Sequence, residues 1–389
     1  MDPLHPVFAA LCVAAAMAAV ALRERLRGGP SEFPSRITIA SLQGLRGYLA
    51  FFLFIYHAAI WYFYLRTGNW AAPPSRFYTH LGQSSVVLVF MVTGFLFFSR
   101  VLDRSREIDW RRLYVSRALR LAPLYVLMVA MLFVAVIALS GWTLKTAPGE
   151  LATGLAKWLA FAIPGAPDLN GVGNTWIIVA GVAWVLPYEI AFYACLPWLA
   201  LATGRRVPWP VLLAVLLPLG WSALFPVMPV VFVALAAGMA AAPLARSERV
   251  RAAATGGLAA VAALALVVLV AARFPSAYSA APIAILGIAF AVVACGNDMF
   301  GILSGRLARS LGDLSYGIYL LHGIALFALF HWGFGLPVAG NLTPVQFWLA
   351  VAGLSPAVVA AAYLVFELLE RPVMVRGRSA MERRHRQDL

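Results

Sequence analysis

The 389-residue chain is 62% hydrophobic and 12% charged, with a mean hydropathy of +0.85. This composition is typical of a polytopic membrane protein and excludes a soluble globular core. The formal net charge of +14 does not indicate nucleic acid, because the arginines lie in short loops between apolar runs, where they suit lipid headgroups and polyphosphates.

Apolar runs that approach the length needed to cross a bilayer follow one another along the chain. They predict an all-α fold, a transmembrane helix bundle of about 11 spans. Residues 151–163 are too short and interrupted to cross, so we expect them to re-enter the membrane or lie on its surface. The predicted spans are 4–22, 45–65, 84–99, 121–140, 183–202, 209–225, 229–244, 251–272, 281–296, 311–331 and 346–368.

The distribution of basic residues predicts the orientation of these spans. Alternate loops carry nearly all of the 30 Lys and Arg, and this positive side is expected to be cytoplasmic. The N-terminus is then outside and the C-terminus cytoplasmic. The exceptions on the other side are Arg66, Arg76, Lys145, Lys157 and Arg273.

Residues 1–40 are predicted to form an extra N-terminal transmembrane helix and a cytoplasmic linker. Arg23, Arg25 and Arg27 follow the first apolar run, which reverses the charge order of a cleavable signal peptide. We therefore expect this span to be retained, with the other ten spans forming the core of the bundle.

Arg46 and His57 lie in one hydrophobic segment. Eleven residues separate them, which on an α-helix is about three turns and a rise of roughly 16 Å along one face. Ionisable groups inside a membrane span usually mark a substrate path, so we interpret the pair as functional. The alternative is an arginine that reaches the membrane surface and a packed histidine.

The densest basic cluster comes just before the fourth span and contains Arg111, Arg112, Arg117 and Arg120. Arg117 and Arg120 are three residues apart, so on a helix they share a face and could clamp a phosphate. The alternative is that these arginines determine topology and bind lipid headgroups.

Glu189 and His322 are predicted at depths similar to that of His57. A carboxylate at this depth needs a partner, and a Glu189–His57 pair would stabilise the imidazolium of a general base that acts on an alcohol. The alternatives are a structural hydrogen bond for Glu189 and a hydrogen bond between helices for His322. Three tyrosines near these residues in the sequence are expected to pack between helices or to line a substrate cavity in the bundle: Tyr193, Tyr316 and Tyr319.

The three cysteines, Cys12, Cys195 and Cys295, lie in apolar runs and are odd in number. We expect small buried hydrophobic residues rather than disulfides or a catalytic thiol. Because the sequence has no metal-ligand spacing, no metal site is predicted.

Six sequence elements together resemble the acyltransferase-3 family of integral-membrane acyltransferases. The first, L-x-G-L-R-G with a histidine eleven residues after the arginine, includes Arg46 and His57. Gln43 departs from the pattern, since the family commonly has Asp there. The other elements lie at 89–96, 117–125, 184–193, 311–322 and 370–372.

The resemblance implies an O-acyltransferase domain at 41–372, followed by a basic cytoplasmic tail at 373–389, in a bacterial cytoplasmic (inner) membrane. It implies that acyl-CoA, usually acetyl-CoA, is a donor substrate and not a permanently bound cofactor. The implied acceptor is a hydroxyl of a carbohydrate or lipid-linked glycan. The arginines, Arg46, Arg111, Arg112, Arg117 and Arg120, would bind the donor, His57 would deprotonate the acceptor or carry the acyl group, and Glu189 would orient His57.

Two other functions remain open from the sequence. Buried His and Glu residues also occur in proton-coupled transporters, although no two matching halves with broken spans are visible here. An acceptor that is a small lipophilic molecule is the other alternative. The oligomeric state is not predicted.

Overall fold

The computed structural model describes residues 2–26, 39–103, 107–215 and 228–373. Within these ranges the regular structure is helical, which confirms the all-α fold. The helices are α1 (Val7–Leu26), α2 (Ala40–Thr67), α3 (Arg76–Leu102), α4 (Trp110–Leu139), α5 (Pro148–Leu159), the 3-10 turns Thr175–Val179 and Val182–Trp184, α6 (Val185–Ala202), α7 (Trp209–Ala214), α8 (Pro229–Leu244), α9 (Glu248–Ala254), α10 (Gly257–Arg273), α11 (Ala280–Ala294), α12 (Arg306–Asp313), α13 (Ser315–Phe327), the π-helical turn Ala328–Gly333, α14 (Leu336–Asn341), α15 (Pro344–Val365) and the π-helical turn Phe366–Glu370.

Seven helices of the described ranges are long and apolar enough to cross a membrane, and an eighth is counted if α8 and α9, bent by 109°, form one span. The helices α10 and α11, at two further predicted spans, have only 17 and 15 residues. A multi-pass membrane protein is therefore confirmed, whereas the count of 11 and the orientation stay predictions. The seven are Val7–Leu26, Ala40–Thr67, Arg76–Leu102, Trp110–Leu139, Val182–Ala202, Ser315–Gly333 and Pro344–Val373.

Some predicted segments fall outside the described residues. The predicted span at 209–225 begins with α7, but residues 216–227 are not described. The same holds for most of the predicted linker, at 27–38, and of the predicted tail, at 374–389.

One compact unit comprises Met1–Leu102, Met228–Tyr319 and Ala325–Ala360. Its helices approach one another closely where glycines replace larger side chains, as is common between membrane helices. A methyl group on Gly94 of α3 would collide with the backbone of α8, and one on Gly238 of α8 with the backbone of α3. These glycines therefore hold α3 and α8 in backbone contact.

The N-terminal helix α1 packs into this unit. Just before the helix, the Pro3 carbonyl oxygen accepts a hydrogen bond from the Trp348 indole at 2.8 Å, and the His5 carbonyl oxygen accepts one from the Tyr78 hydroxyl at 3.1 Å. These bonds attach the start of the chain to α15 and α3.

The second compact unit comprises Asp103–Val227, Leu320–Ile324 and Ala361–Leu389. In it, the Tyr125 hydroxyl of α4 donates to the Trp158 carbonyl oxygen of α5 at 2.7 Å. The predicted re-entrant or interfacial stretch at 151–163 is therefore largely a short helix, α5, which is attached to α4.

Candidate functional site

The first turns of α2 hold Arg46 beside α12. Gln43, three residues before it, donates through Nε2 to the Asp313 carboxylate at 2.7 Å and to the Arg309 carbonyl oxygen at 3.3 Å. Arg46 itself is half-buried. The amide of Gln43 thus acts as a donor to α12 at a position where a carboxylate would be an acceptor only.

Glycines bring α2 into backbone contact with α12 and with the turn before it, on both sides of Arg46. A methyl group on Gly44 would collide with the Leu303 carbonyl oxygen, and one on Gly47 would lie 2.6 Å from the Gly312 nitrogen. A methyl group on Gly312 would in turn meet the Gln43 backbone. The turn that carries Arg46 is therefore fixed by backbone atoms, which cannot move aside as a flexible side chain can.

A buried carboxylate joins α1 to the same region. Glu24 accepts hydrogen bonds from the Ser310 hydroxyl at 2.7 Å and from Arg306 Nε at 2.9 Å, and Arg23 lies 3.7 Å from it. Because Glu24 is only 5% exposed, its charge depends on these partners. The sequence analysis did not identify this cluster.

His57 lies further along α2, and only 8% of it is exposed. The helix is continuous through Arg46 and His57, so the two residues are separated by about three turns along one face. The half-buried ring of Trp70 stacks on the imidazole, with centroids 6.4 Å apart and planes inclined by 25°. The base candidate is thus in contact with the rings of Tyr56 and Trp70.

Trp70 reaches His57 because the chain reverses at the end of α2. Gly68 has φ 69°, in the left-handed region that favours glycine, and its N–H donates to the Tyr64 carbonyl oxygen at 2.8 Å. Sequence reasoning missed Trp70. The only local signal was a glycine directly after the apolar run, which predicts a reversal but not the residue on which the chain folds back.

Two of the α4 arginines line a cavity of about 620 Å³ in the second unit. These are Arg111 and Arg117, which share the cavity wall with Tyr114 and Tyr193. The Tyr114 hydroxyl donates to the Tyr193 carbonyl oxygen at 3.0 Å and so connects α4 to α6. Since most of the remaining lining is apolar, the cavity combines two basic residues with a hydrophobic wall.

The other two arginines of the cluster lie off the cavity lining. Arg112 is exposed, and its backbone N–H donates to the Asp109 carboxylate, which caps α4, at 2.8 Å. Arg120 is half-buried. Arg117 therefore shares the cavity wall with Arg111, and the phosphate clamp of Arg117 with Arg120 stays a prediction.

The remaining predicted residues lie on α6 and α13. Glu189 is half-buried on α6, and His322 of α13 is fully buried, with 0% exposed. Close to His322, a methyl group on Gly323 would collide with the Val179 backbone, so α13 and the first 3-10 turn are in close contact. Tyr316 is buried and Tyr319 half-buried. His57 and Glu189 belong to different units, and their pairing stays a prediction.

In the described part of the chain, the cysteines form no disulfide and the potential metal ligands form no metal site. Cys12 and Cys295 are buried, Cys195 is half-buried, and all three are free thiols. No group of three His, Cys, Asp or Glu side chains is arranged there as metal ligands would be.

Comparison with known proteins places the chain in a family. The family model described as an acyltransferase domain, acyltransferase-3, matches residues 39–367, which include Arg46, His57, the α4 arginines and Glu189. No curated protein and no solved structure matches the chain. Since the match covers most of the sequence and contains five of the six motifs, all but the one at 370–372, the chain belongs to the acyltransferase-3 family, and it is a multi-pass membrane protein of that family.

Proposed function

We propose that the protein is an integral-membrane O-acyltransferase that transfers an acyl group, specifically acetyl, from cytoplasmic acyl-CoA to a hydroxyl of a carbohydrate acceptor. Family membership supports acyl transfer. The observation that carries the choice of donor is the cavity lined by Arg111 and Arg117. The proposal places the N-terminus outside and the arginine-rich loops inside a bacterial cytoplasmic membrane.

The cavity suits the two chemical parts of acyl-CoA. Guanidinium groups bind phosphate oxygens through charge-assisted, often bidentate hydrogen bonds. The apolar wall formed by residues such as Leu121, Phe161 and Val211 suits the uncharged pantetheine and acyl part. Its volume of about 620 Å³ lies within the usual range for small-molecule sites. In this proposal Arg46, Arg112 and Arg120 add positive charge for the same donor.

His57 is proposed as the general base. Its imidazole takes the proton of the acceptor hydroxyl, and the oxygen attacks the thioester carbonyl carbon. The carbon–sulfur bond then breaks, and the CoA thiolate recovers the proton from the imidazolium. In the alternative route the imidazole attacks first and carries the acyl group to the hydroxyl. Glu189 is proposed to stabilise the imidazolium, with Tyr193, Tyr316, Tyr319 and His322 in secondary roles.

Purified protein in nanodiscs provides the test, with acetyl-CoA that carries a radiolabelled acetyl group. The acceptor is a bacterial envelope polysaccharide from which ester-linked acetyl groups have been removed by mild alkali. We expect release of free CoA thiol together with label in the polysaccharide, and neither from His57→Ala. A transporter would release no CoA. Label in an organic-soluble small molecule would instead support a lipophilic acceptor.

A further inference from the structure

Trp70 is held in place beside His57 by an aromatic framework. Its ring contacts Trp61 edge-on, with centroids 5.5 Å apart and planes at 88°, and contacts Tyr64 at 5.4 Å and 70°. Edge-to-face pairs of this kind are favourable and directional. Trp61 and Tyr64 are fixed on α2 itself, so the position of the indole relative to His57 is determined locally.

Trp61 packs against a π-helical turn. Its ring lies 5.7 Å from Phe330, which belongs to the π-helical turn Ala328–Gly333. Single π-helical turns are rare in helices and occur frequently at functional sites. Here the turn places Phe330 against Trp61, which in turn contacts Trp70.

The indole N–H of Trp61 is a buried hydrogen-bond donor close to His57. Trp61 lies four residues after His57, so both side chains are on one face of α2. Only 1% of Trp61 is exposed, and its Nε1 has no hydrogen-bond partner among the described residues. The indole N–H can only donate, and a buried donor without an acceptor is an exception that a bound oxygen would satisfy.

We propose that Trp70 is the platform on which the sugar ring of the acceptor packs, so that one of its hydroxyl groups points at His57. Trp61 Nε1 donates a hydrogen bond to a second oxygen of that sugar. This inference rests on the proposed function and identifies residues for the acceptor that no family motif contains. It also requires that the acceptor be a carbohydrate.

Geometry supports the platform. A general base needs the acceptor oxygen at hydrogen-bond distance, about 2.6–3.2 Å from the ring nitrogen. With the two ring centroids only 6.4 Å apart, a molecule bound to the imidazole lies beside the indole. The face of an aromatic ring is electronegative and attracts the C–H groups of a sugar ring, whereas the sugar hydroxyls still need polar partners.

The same contact gives Trp70 a second effect. Because the indole stacks on the buried imidazole, it shields His57 when no acceptor is bound. Removal of the indole then admits water, which competes with the sugar hydroxyl for the acyl group. Loss of Trp70 should therefore raise hydrolysis of the donor relative to transfer, which a purely structural residue would not do.

The test uses Trp70→Leu, which keeps apolar bulk but removes the aromatic face, together with Trp70→Phe and Trp61→Phe. Purified variants in nanodiscs receive radiolabelled acetyl-CoA and the deacetylated polysaccharide. For Trp70→Leu we expect the polysaccharide concentration for half-maximal transfer to rise about tenfold. The ratio of hydrolysis to transfer should also rise, while CoA affinity, measured by calorimetry, should stay within about twofold because the donor contacts lie elsewhere.

Trp70→Phe should restore most of the acceptor affinity. Trp61→Phe should weaken it in assays run well below its thermal midpoint, which the cavity left by the smaller ring lowers. The matched control is Trp142→Ala, which removes a tryptophan that is 74% exposed in another loop. If Trp70→Leu behaves like Trp142→Ala, the platform is excluded. Transfer by the wild type to a lipid-soluble acceptor would exclude a sugar as the group bound on Trp70. Absence of any acyl transfer by the wild type would instead contradict the proposed acyltransferase function.

Discussion

The two halves of α2 are packed in different ways. Its N-terminal turns, around Arg46, meet α12 through glycine backbones and the hydrogen bonds of Gln43. Its C-terminal half, around His57, carries Trp61 and contacts the large ring of Trp70. Backbone atoms leave no room for a methyl group on Gly44 or Gly47 in the first half, whereas the second half is bounded by side chains.

This difference suits the two substrates of the proposed reaction. CoA has one structure, so residues that bind it benefit from a rigid backbone, which avoids loss of conformational entropy on binding. An acceptor must enter and leave beside the base, and side chains on a loop adjust more readily than packed helices. The contrast predicts that substitutions in the N-terminal turns lower stability and donor affinity, whereas substitutions around His57 lower turnover or acceptor affinity.

The largest effect is expected at His57. His57→Ala should lower acyl transfer about a hundredfold or more, because the general base is lost. Thermal unfolding in detergent should show a folded protein, since alanine is a good helix former and keeps this part of α2 apolar. Transfer at the wild-type rate by a folded variant would exclude His57 from the mechanism.

The next effect concerns the backbone contact at Gly47. Gly47→Ala should destabilise the protein by about 1–3 kcal/mol, because the methyl group meets backbone of α12 that cannot give way. Gly353→Ala is the matched control, since it lies in α15 with nothing within 4 Å of the added atom. There, alanine should be neutral or stabilise by about 0.5–1 kcal/mol. Midpoints that shift equally in both variants would contradict the rigid contact.

A smaller effect is expected in the donor cavity. Arg117→Ala should weaken CoA binding about tenfold, as measured by calorimetry, because a charge-assisted bond to phosphate is lost. Arg112→Ala removes the same charge from an exposed residue off the cavity, and it should have a weaker effect that added salt abolishes. Equal losses in the two variants would assign both arginines to general surface charge.

The fold was largely predictable from the sequence because a membrane imposes a strong pattern. Long apolar runs located the seven long helices, including α2 and α4, since each run must satisfy its backbone hydrogen bonds internally. The run at 229–244 was predicted as a simple span, but it ends in a sharp bend before α9. Hydropathy measures apolar length and contains no information on the angle between successive helices.

The candidate site was predictable only in part. Motif positions selected Arg46, His57, Arg117 and Arg120 as candidates, because a family resemblance carries over residue by residue, and their roles stay predictions. Helical spacing alone could not predict that Arg111 rather than Arg120 shares the cavity with Arg117, since the wall also depends on α6 and α7. Trp70 was missed because its contact with His57 depends on a chain reversal and not on any periodic pattern.

The smallest expected effect, at Glu24, sharpens the comparison at the N-terminal turns of α2. Glu24 lies before the family match, which begins at residue 39, yet it holds α12 through Ser310 and Arg306. Glu24→Gln keeps an acceptor for Ser310 but loses the charge that pairs with Arg306. Because the Arg306 side chain is 50% exposed, solvent screening limits the expected loss of stability to about 1 kcal/mol.

Thermal midpoints of Glu24→Gln, Arg306→Gln and the double variant measure this pair as a double-mutant cycle. We expect the double variant to be less destabilised than the sum of the single variants, because each single change already breaks the same ion pair. Glu248→Gln, at an exposed glutamate of α9, is the charge-matched control and should leave the midpoint unchanged. Additive effects in the cycle would mean that Glu24 acts through Ser310 alone. An unchanged midpoint in Glu24→Gln would show that α12 is positioned without α1, by its glycine contacts with α2.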